Sequence, residues 1–517
     1  MSCEHIVLGA DIGTHSARLV AVTLSGEILA SSKRVYSRRI APGGIAEQDA
    51  DDWWEAFRGA SEEVVDLLGS KAEQIQALSI AHQRGTIVPV DTKGYPVRLA
   101  LCDSDMRSGL SLDAEGRESE RKWLYRRTGC PPVPFVGLGK ILWVRTHEPD
   151  VYRQTVEWLT PHDYIVHKLS GEYVTSNAVA LRVGVLDVEA RGNLAEDVLC
   201  HYGLAPDSFP RVVLAGTAAG AVTKTASEMT GLKEGLPIVA GAGDQQCAII
   251  ANRLCLNDIA YVNLGTSFVV SQAVDRLVYD EDGLCTIEVL PQDKVYGPEL
   301  GSGCGTNVFD WFRQELMRVD ASSEQALWND LSLQAASIPP GARGLVAIPR
   351  LWTAVGSSRA AGSIIGIDSS TSIVEMYRGI IEGLAYETRM SLERVERTSG
   401  ANILELRAFG GATRNELLMQ TLADVLNVPV AAGLTDASAL GAAIVAASCQ
   451  EIDCAYPDVL VAGDAMAGTG MGRRYSPDKT RASVYDALFH DTYVTTREII
   501  ESPVNSHCRI CREESKI

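Results

Sequence analysis

The segment Ile6-Val-Leu-Gly-Ala-Asp-Ile-Gly-Thr14 is a short apolar run that closes in a Gly-Thr pair. A second apolar run, Arg18 to Leu24, follows it, and Ser25-Gly26 separates this run from Ile28-Leu-Ala30. Short apolar runs that are divided by glycine-containing turns are typical of strands joined by tight turns. The segment therefore predicts that the chain opens with strands connected as hairpins.

Strand and helix patterns alternate after this opening. Residues 51–69 place Trp53 and other apolar side chains at helical spacing, and Gly69 stands where such a helix would end. The run from Ile75 to Ile80 predicts another strand, and residues 86–94 predict a further hairpin. Alternation of this kind indicates an α/β fold.

The opening pattern returns in the second half of the chain, at Ile259-Ala-Tyr-Val-Asn-Leu-Gly-Thr-Ser267. A long amphipathic helix is predicted from Ile373 to about Val395, and a strand at Leu404–Phe409. Thr413 and Glu416 have the spacing of a capping box, which predicts that the next helix starts there. Because both halves open in the same way, the sequence predicts a duplicated α/β domain.

The repeat also suggests domain boundaries. We expect an N-terminal domain over residues 1–254 and a C-terminal domain over residues 255–495. The polar segment 496–517 is predicted to be a flexible tail. Its CxxC pair, Cys508 and Cys511, has no second pair, so we assign it neither a metal nor a redox role.

Composition limits the function classes. Hydrophobic residues make up 46% of the 517 residues and charged residues 22%, which is ordinary for a globular protein. The net charge of −19 argues against nucleic acid as a partner, so any phosphate must be bound locally. No apolar run approaches the ~20 residues that span a bilayer, and we expect no signal peptide before the first strand. The twelve cysteines are scattered, which favours reduced thiols in a cytoplasmic protein.

Three glycine turns follow apolar strands: Gly13-Thr14, Gly265-Thr266-Ser267 and Gly410-Gly411. Glycine lets a ligand approach the backbone closely, and neighbouring hydroxyl and N–H donors, Ser16 among them, suit phosphate oxygens. Arg18 could pair with a phosphate, although alone it is better explained as a surface arginine. Each turn by itself is ordinary, but three at matching places in two halves indicate a phosphate-binding protein.

Two carboxylates lie where α/β sheets present functional groups. Asp11 falls inside the first apolar run, where a carboxylate is costly unless it is paired or meets a metal. Asp244 follows the apolar run that starts at Ile238. Taken alone, each carboxylate could equally well be a structural helix cap. Together with the glycine turns, the two would supply a metal ligand and a base for phosphoryl transfer.

Six segments match, in order, the motifs of one known family: Asp11–Arg18, Gly44–Asp49, Leu142–Pro149, Gly243–Gln246, Phe409–Asn415 and Ala437–Ala443. They resemble the FGGY family of carbohydrate kinases, which includes xylulokinase and glycerol kinase, over roughly residues 6–495. The resemblance implies two duplicated actin-like, ribonuclease-H-like α/β domains with the active site in the cleft between them.

The resemblance also implies ATP and Mg²⁺, with a small sugar as the other substrate. Asp244 would be the general base, and Asp11 would meet the metal. Gly13 and Thr14 would hold phosphates. The remaining nucleotide positions would be Gly265, Thr266, Ser267, Gly410, Gly411 and Asn415.

The substrate positions implied by the family are Gln83, Arg84, Gly85, Asp103 and Gln245. Gln83-Arg84 is similar to glycerol kinase, whereas Gly85 agrees with xylulokinase and would leave space for a larger sugar. Asp103 stands where both kinases have tryptophan. This difference should change which hydroxyl groups of the substrate the pocket recognises. We expect a ketopentose such as D-xylulose, with glycerol or another polyol as the alternative.

Two non-kinase readings remain open: an actin-like ATP-driven module and a sugar-sensing protein without catalysis. Fold alone does not decide among them. The Gln83-Arg84 and Gly243-Asp244 segments favour the kinase, since a module of this fold needs neither. A homodimer is left open.

Overall fold

The computed structural model describes residues 5–108, 118–319, 324–351, 362–435, 437–452, 455–468 and 472–501. The chain divides into two compact units, each built from more than one segment. The first unit comprises Met1–Leu256, Ala273–Pro298 and Asp436–Gly470, and the second comprises Asn257–Gln272, Glu299–Thr435 and Met471–Ile517. Residues 273–298 and 436–470 thus belong to the first unit although they follow the predicted boundary near residue 254.

The strands are β1 Ile6–Ile12, β2 Ser16–Thr23, β3 Ile28–Val35, β4 Arg39–Ala41, β5 Ile45–Gln48, β6 Ile75–His82, β7 Val88–Val90, β8 Ala100–Leu101, β9 Glu157–Leu159, β10 Val174–Ser176, β11 Arg211–Val213, β12 Ala218–Ala221, β13 Pro237–Gly243, β14 Ile259–Leu264, β15 Phe268–Gln272, β16 Thr286–Val289, β17 Tyr296–Gly301, β18 Val346–Ile348, β19 Ser363–Ile365, β20 Glu405–Phe409, β21 Val430–Ala432 and β22 Arg474–Tyr475.

The α-helices are α1 Ala50–Leu68, α2 Glu118–Thr128, α3 Gly137–His147, α4 Pro149–Gln154, α5 Pro161–Ser170, α6 Asn177–Val183, α7 Glu196–His201, α8 Lys224–Thr230, α9 Asp244–Ala251, α10 Asn307–Trp311, α11 Glu324–Ala335, α12 Ile373–Ser399, α13 Glu416–Leu426, α14 Ala437–Ala447, α15 Val459–Met466, α16 Lys479–Leu488 and α17 Thr495–Glu501.

The first unit is built on a six-stranded sheet with the order β12-β13-β6-β1-β2-β3. The predicted hairpins are confirmed, because β1 pairs with β2 and β2 with β3 in antiparallel register. Strands β6 and β13 extend the sheet in parallel from β1. Parallel strands need long crossover connections, and here these connections carry the helices that cover the sheet.

Helix α1 shows how the sequence pattern produces the layer over this sheet. Asp49 caps its start by accepting the N–H of Asp51, and Gly69 ends it with a φ of 54°. The helix buries Trp53, Trp54, Phe57 and Val64, and these side chains join the core beneath the sheet. The helix predicted from residues 51–69 is therefore confirmed.

Helix α14 packs against the same sheet and contains the last segment of the family pattern. A Cβ atom on Gly441 would lie 1.8 Å from the carbonyl oxygen of Cys247 in α9, and one on Gly9 in β1 would lie 1.9 Å from the carbonyl oxygen of Ala439. The small residues of α14 therefore serve close packing inside the first unit.

The second unit repeats the arrangement of the first. Its strands run in the order β17-β15-β14-β20-β21-β22, again with antiparallel hairpins on one side and parallel strands on the other. The last strand, β22, is antiparallel to β21 in the same way that β12 is antiparallel to β13. The prediction of two duplicated α/β domains is confirmed.

Three local predictions have different outcomes. Helix α12 is longer than predicted, and Gly400 ends it in a left-handed conformation. The capping box at Thr413 is wrong, because Asn415 caps α13 and Thr413 lies in a 3₁₀ turn, donating to the carbonyl of Gly410. The predicted hairpin at 86–94 is confirmed, because Val90 forms an antiparallel bridge with Pro96 and the N–H of Asp91 donates to the carbonyl of Tyr95 at 2.9 Å. Strand β7 also pairs with the distant strand β9.

In the described part of the chain, no helix combines the length and the hydropathy that a membrane crossing requires. The predicted tail begins in helix α17, so its first six residues are helical. Its remainder, with Cys508 and Cys511, lies outside the described residues.

Candidate active site

The predicted catalytic segments of the first unit follow three neighbouring strands. Ile12 at the end of β1 is in register with His82 at the end of β6, which is in register with Gly243 at the end of β13. The carboxyl ends of parallel strands lie at one edge of a sheet. The Gly13-Thr14 turn, the Gln83-Arg84 pair and Asp244 are therefore gathered at the same edge.

Asp244 is the first residue of α9 and is accessible to solvent. Its Oδ1 accepts the N–H of Gln245 at 2.7 Å and lies 3.4 Å from Arg84 Nε. The side chain is 39% exposed, whereas Arg84 is only 13% exposed. The carboxylate is thus fixed from one side and open to a ligand.

Arg84 is itself fixed by Glu288, a residue that the sequence analysis missed. Glu288 lies in β16, is 3% exposed, and accepts from Arg84 Nη1 at 2.8 Å and from Arg182 Nε at 2.5 Å. Gln246 Nε2 donates to its other oxygen at 3.0 Å. A buried carboxylate needs such partners. The signal was present, since Glu288 interrupts an apolar run as Asp11 does.

A second network places Gln83. Gln83 Nε2 donates to Gln48 Oε1 at 2.6 Å, and Gln48 Nε2 donates to the carbonyl of Thr14 at 2.7 Å. Gln83 and Gln245 are each only 1% exposed. The glutamine of the Gly44–Asp49 segment therefore ties the first glycine turn to the loop that carries Arg84.

Gly85 does not open the pocket as expected. Its φ is +71°, and a Cβ atom there would lie 2.1 Å from the carbonyl oxygen of Phe135. The missing side chain is therefore a consequence of close backbone packing, and the expectation that Gly85 leaves space for a larger sugar is wrong.

Lys140 holds the surrounding loops together. Its buried Nζ donates to the carbonyls of Gly85 at 2.8 Å, Pro134 at 2.9 Å and Asp103 at 3.4 Å. Burial lowers the pKa of Lys140 to about 8, against the opposing effect of the nearby carboxylate of Asp103. One side chain from α3 thus fixes the loops that follow β6 and β8.

Asp11 and Asp244 supply two carboxylates near one point. Burial raises the pKa of the Cys247 thiol well above its usual range, and both carboxylates raise it further, so both lie within electrostatic reach of this thiol. Asp11 is paired in register with Arg18 across β1 and β2. The described residues contain no cluster of three or more metal-ligating side chains. Two carboxylates nevertheless fit Mg²⁺, which usually takes one or two carboxylates and completes its shell with water and phosphate oxygens.

In the second unit, the glycine turns also meet at the strand ends. The carbonyl of Gly265 accepts the N–H of Thr306 at 2.9 Å, and a Cβ atom on Gly410 would lie 2.9 Å from Asn263 Oδ1. The glycine-rich loop at residues 301–305 joins them, since the N–H of Phe268 donates to the carbonyl of Cys304 at 2.7 Å. The sequence analysis overlooked this third loop, although its glycine spacing is visible.

Of these turns, Gly410-Gly411 borders a large cavity within the second unit through Gly411. Its volume is about 890 Å³, and its walls include Thr306, Trp328, Pro339, Tyr377, Gly411 and Asn415. The rings of Trp328 and Tyr377 are stacked, 5.9 Å apart at 19°. A Cβ atom on Gly411 would meet no atom within 4 Å, so this glycine faces open space. A cavity of this size with an aromatic wall can accommodate a nucleotide.

Asn415 lines this cavity but has structural partners. Its Oδ1 accepts the N–H of Leu418 at 3.1 Å as the cap of α13, and its Nδ2 donates to Tyr377 Oη at 2.8 Å. The amide therefore fixes the aromatic wall of the cavity, and its contribution to a ligand is to set the position of Tyr377.

Comparison with known proteins identifies the family. The N-terminal domain model of the FGGY family of carbohydrate kinases matches residues 6–251, and the C-terminal domain model matches residues 260–449. The chain belongs to the FGGY family of carbohydrate kinases. It is therefore a phosphotransferase that uses ATP and a carbohydrate as substrates, and the kinase reading is favoured over the two non-catalytic alternatives.

Individual FGGY kinases are similar over most of their length. The chain is 25% identical over 448 residues to a xylulose kinase of Staphylococcus xylosus, covering 85% of this chain and 90% of that protein. It is 28% identical over 453 residues to a glycerol kinase of Aquifex aeolicus, covering 85% and 89%. The crystal structure of xylulose kinase from Rhodospirillum rubrum matches with a TM-score of 0.85 and 25% identity, covering 96% of this chain and all of that one.

The predicted site residues of this FGGY kinase fall into two groups. The first unit carries Asp11, Gly13, Thr14, Ser16, Arg18, Gln83, Arg84, Gly85, Asp103, Asp244 and Gln245. The second unit carries Gly265, Thr266, Ser267, Gly410, Gly411 and Asn415. Gly13 and Asp244 directly follow β1 and β13 in the first unit, and Gly265 and Gly410 follow β14 and β20 in the second. Arg18 instead lies within β2, and Asn415 caps α13.

Proposed function

We propose that this FGGY kinase transfers the γ-phosphoryl group of ATP to a hydroxyl of a small open-chain sugar, with a ketopentose such as D-xylulose as the leading substrate. The observation that carries the proposal is the solvent-accessible carboxylate of Asp244, which Arg84 and the backbone of α9 hold in place. Similarity to xylulose kinases supports the choice of sugar.

Asp244 acts as the general base in this reaction. Its carboxylate takes the proton of the substrate hydroxyl while that oxygen attacks the γ-phosphorus, and ADP leaves. The exposed fraction of 39% gives a substrate hydroxyl access to the carboxylate, whereas the buried Glu288 cannot serve this purpose.

Arg84 orients both reactants at the base. Its Nε faces Asp244 and its Nη1 is occupied by Glu288, so the guanidinium is held in a single orientation. A planar group with several donors can direct a hydrogen bond to a sugar oxygen in a fixed orientation. Gln83 and Gln245 are also buried. We propose that both contribute to substrate binding.

The nucleotide is proposed to occupy the cavity of the second unit. The adenine ring would lie toward the wall formed by Trp328 and Tyr377, and the phosphates toward Gly265, Thr266, Ser267, Gly410 and Gly411. Backbone N–H groups in glycine turns suit phosphate oxygens. In the first unit, Gly13, Thr14, Ser16 and Arg18 are the proposed contacts of the transferred phosphate.

Asp11 is the residue that would hold Mg²⁺, with Asp244 as a nearby second carboxylate. When bound, the ion neutralises charge on the phosphate oxygens during transfer. Arg18, which stands opposite Asp11 in the sheet, would orient the carboxylate toward that position.

Glycerol remains the second candidate substrate. The similarity to glycerol kinases favours it, as does the Gln83-Arg84 pair. Gly85 counts against it, because no side chain can be placed there to reach the hydroxyls of so small a substrate.

We further infer that the protein works in the cytoplasm. Six of the eight cysteines that the structure describes are buried, which is usual for the thiols of a cytoplasmic protein.

An ADP-release assay across pentuloses, hexuloses, aldonates and polyols tests the proposed function. We expect the highest kcat/KM with a pentulose. A higher kcat/KM with glycerol than with every ketose would replace the first candidate by the second. Absence of ADP release with every compound would overturn the kinase assignment for these substrate classes.

A further inference from the structure

Arg38 and Asp103 face each other in the first unit at ion-pair distance but without a direct hydrogen bond. Arg38 Nη1 lies 4.0 Å from Asp103 Oδ1 and donates to Ser104 Oγ at 3.2 Å. The Arg38 side chain is 17% exposed and that of Asp103 is 43% exposed. The two charges are therefore neighbours, but the gap between them exceeds a hydrogen bond.

Both side chains also carry a buried atom that is not satisfied. Arg38 Nε and Asp103 Oδ1 are shielded from solvent, and neither has a hydrogen-bond partner among the residues that the structure describes. A buried donor or acceptor without a partner is costly, more so when it belongs to a charged group. The arrangement is explained if a third group completes it.

The pair lies beside the loops that carry the proposed chemistry. The N–H of Asp103 donates to Thr86 Oγ1 at 3.1 Å, and Lys140 joins the carbonyl of Asp103 to that of Gly85, next to Arg84. Asp103 is thus fixed to the loop whose arginine reaches Asp244.

The other side of the pair is the first glycine turn. Desolvation and Arg38 lower the pKa of His15, and Asp103 raises it, so this imidazole is within electrostatic reach of both groups. His15 follows Thr14 directly, and its carbonyl accepts the N–H of Tyr36 at 3.0 Å. The pair therefore lies among three loops of the first unit, those of Gly13, Arg84 and Asp103.

We propose that Arg38 and Asp103 form a substrate subsite that binds one hydroxyl group of the sugar through hydrogen bonds. This proposal rests on the proposed kinase function. The hydroxyl donates its proton to Asp103 Oδ1 and accepts from the Arg38 guanidinium. The two groups lie 4.0 Å apart and their unsatisfied atoms are shielded from solvent, so the side chains move apart slightly when the hydroxyl binds between them.

The charges of the pair define the substrate class. A hydroxyl satisfies both groups because it donates and accepts at once. A carboxylate would bind Arg38 but would be repelled by Asp103, and a deoxy position would leave both groups unsatisfied. The subsite thus selects neutral ketoses and alditols over aldonates of the same carbon number.

The test measures kcat/KM for a neutral sugar and for the aldonate of equal carbon number, in the unmodified enzyme and in Asp103→Asn. Replacing the carboxylate by an amide removes the repulsion and weakens the hydrogen bond to the hydroxyl. We expect the ratio of the neutral sugar to the aldonate to fall by ~10-fold or more, the worth of one charge-assisted hydrogen bond.

Arg38→Met provides the second arm. It should raise the KM of the neutral sugar ~10-fold, leave the KM of ATP unchanged, and lower kcat/KM for the aldonate as well. Arg39→Met is the matched control, because Arg39 is 62% exposed and pairs with Glu47 away from Asp103. A loss of folding alone would change the KM of ATP and the melting temperature.

The outcomes separate the two proposals. An unchanged sugar-to-aldonate ratio in Asp103→Asn, with turnover intact, overturns the subsite and leaves the kinase function standing. Equal effects of Arg38→Met and Arg39→Met overturn it as well. If the unmodified enzyme phosphorylates no compound of the panel, the proposed function fails, and the subsite fails with it.

Discussion

Glu288 Oε1 accepts a 2.8 Å hydrogen bond from Arg84 Nη1, although 204 positions separate the two residues in the chain. The same oxygen accepts from Arg182, and Gln246 donates to the other. Because Arg84 also contacts Asp244, one buried carboxylate sets the position of the arginine beside the proposed base.

Replacing Glu288 by glutamine should destabilise the protein by about 3–5 kcal/mol, because two arginines lose a buried partner. Urea unfolding measures this change. Glu118→Gln is the control, since Glu118 and Lys122 form a pair that is 81% and 66% exposed and should contribute little to stability. Equal effects of the two variants would show that Glu288 is not the anchor of Arg84.

Asp244→Asn should lower kcat by ~10²–10⁴-fold, because the amide cannot take the substrate proton. Arg84 and the backbone N–H can still contact the amide oxygen, so we expect the melting temperature and the ATP affinity to stay close to those of the unmodified enzyme. Asp464→Asn, at an exposed pair with Arg253, is the control. Turnover near that of the unmodified enzyme would eliminate Asp244 as the base.

Gly411→Ile should raise the KM of ATP at least ~10-fold without affecting the KM of the sugar. The Cβ of the new side chain meets no atom within 4 Å, so the fold can accept it, and it extends into the proposed nucleotide cavity. The control is Gly192→Ile, where the nearest atom to a Cβ is 3.9 Å away and which does not line this cavity. Calorimetry with ATP and with sugar separates the two effects. Equal weakening of both ligands would contradict the placement.

The stability of the protein should depend on pH through Glu157. Burial raises the pKa of this carboxyl to about 7, with Asp163 and Asp207 adding to the shift, whereas the unfolded chain ionises near 4.5. The folded state thus binds more protons between these values, and its stability falls as pH rises through the window. The folded protein then holds an ionised carboxylate in a buried site above pH 7.

Glu157→Gln removes this titration. At pH 5 the variant and the unmodified protein should have similar free energies of unfolding. At pH 8 the variant should be more stable by about 1–3 kcal/mol. Urea unfolding at the two pH values measures the difference. A difference that does not change with pH would show that Glu157 does not titrate in this window.

Local patterns explain most of what was predicted. Helix α1 and the β1–β2–β3 hairpins were predicted correctly because alternation and helical spacing report which side chains of a segment are buried. The boundary of α13 was missed at Thr413, because the preceding 3₁₀ turn moves the cap to Asn415. Both residues fit a cap by composition, and only the path of the backbone selects one.

The site was predicted in part. The loops with Gly13, Asp244 and Gly411 were identified, because they follow apolar strands and strand ends converge in α/β sheets. The sequence did not indicate Arg38, whose neighbours in the chain are polar and exposed. The interpretation that Gly85 leaves space for a larger sugar was wrong, because the carbonyl of Phe135, some fifty positions away, occupies the space beside it.

The sequence by itself determined the duplicated α/β elements, the family and the strand-end loops, because these depend on local hydrophobic period and on motifs of adjacent residues. Only the tertiary structure decided the partners of each charged group. Arg84 meets Glu288, and Arg38 stops short of Asp103, because a hydrogen bond depends on distances of a few tenths of an ångström. Such distances are set by the packing of segments remote in the chain, which no local pattern encodes.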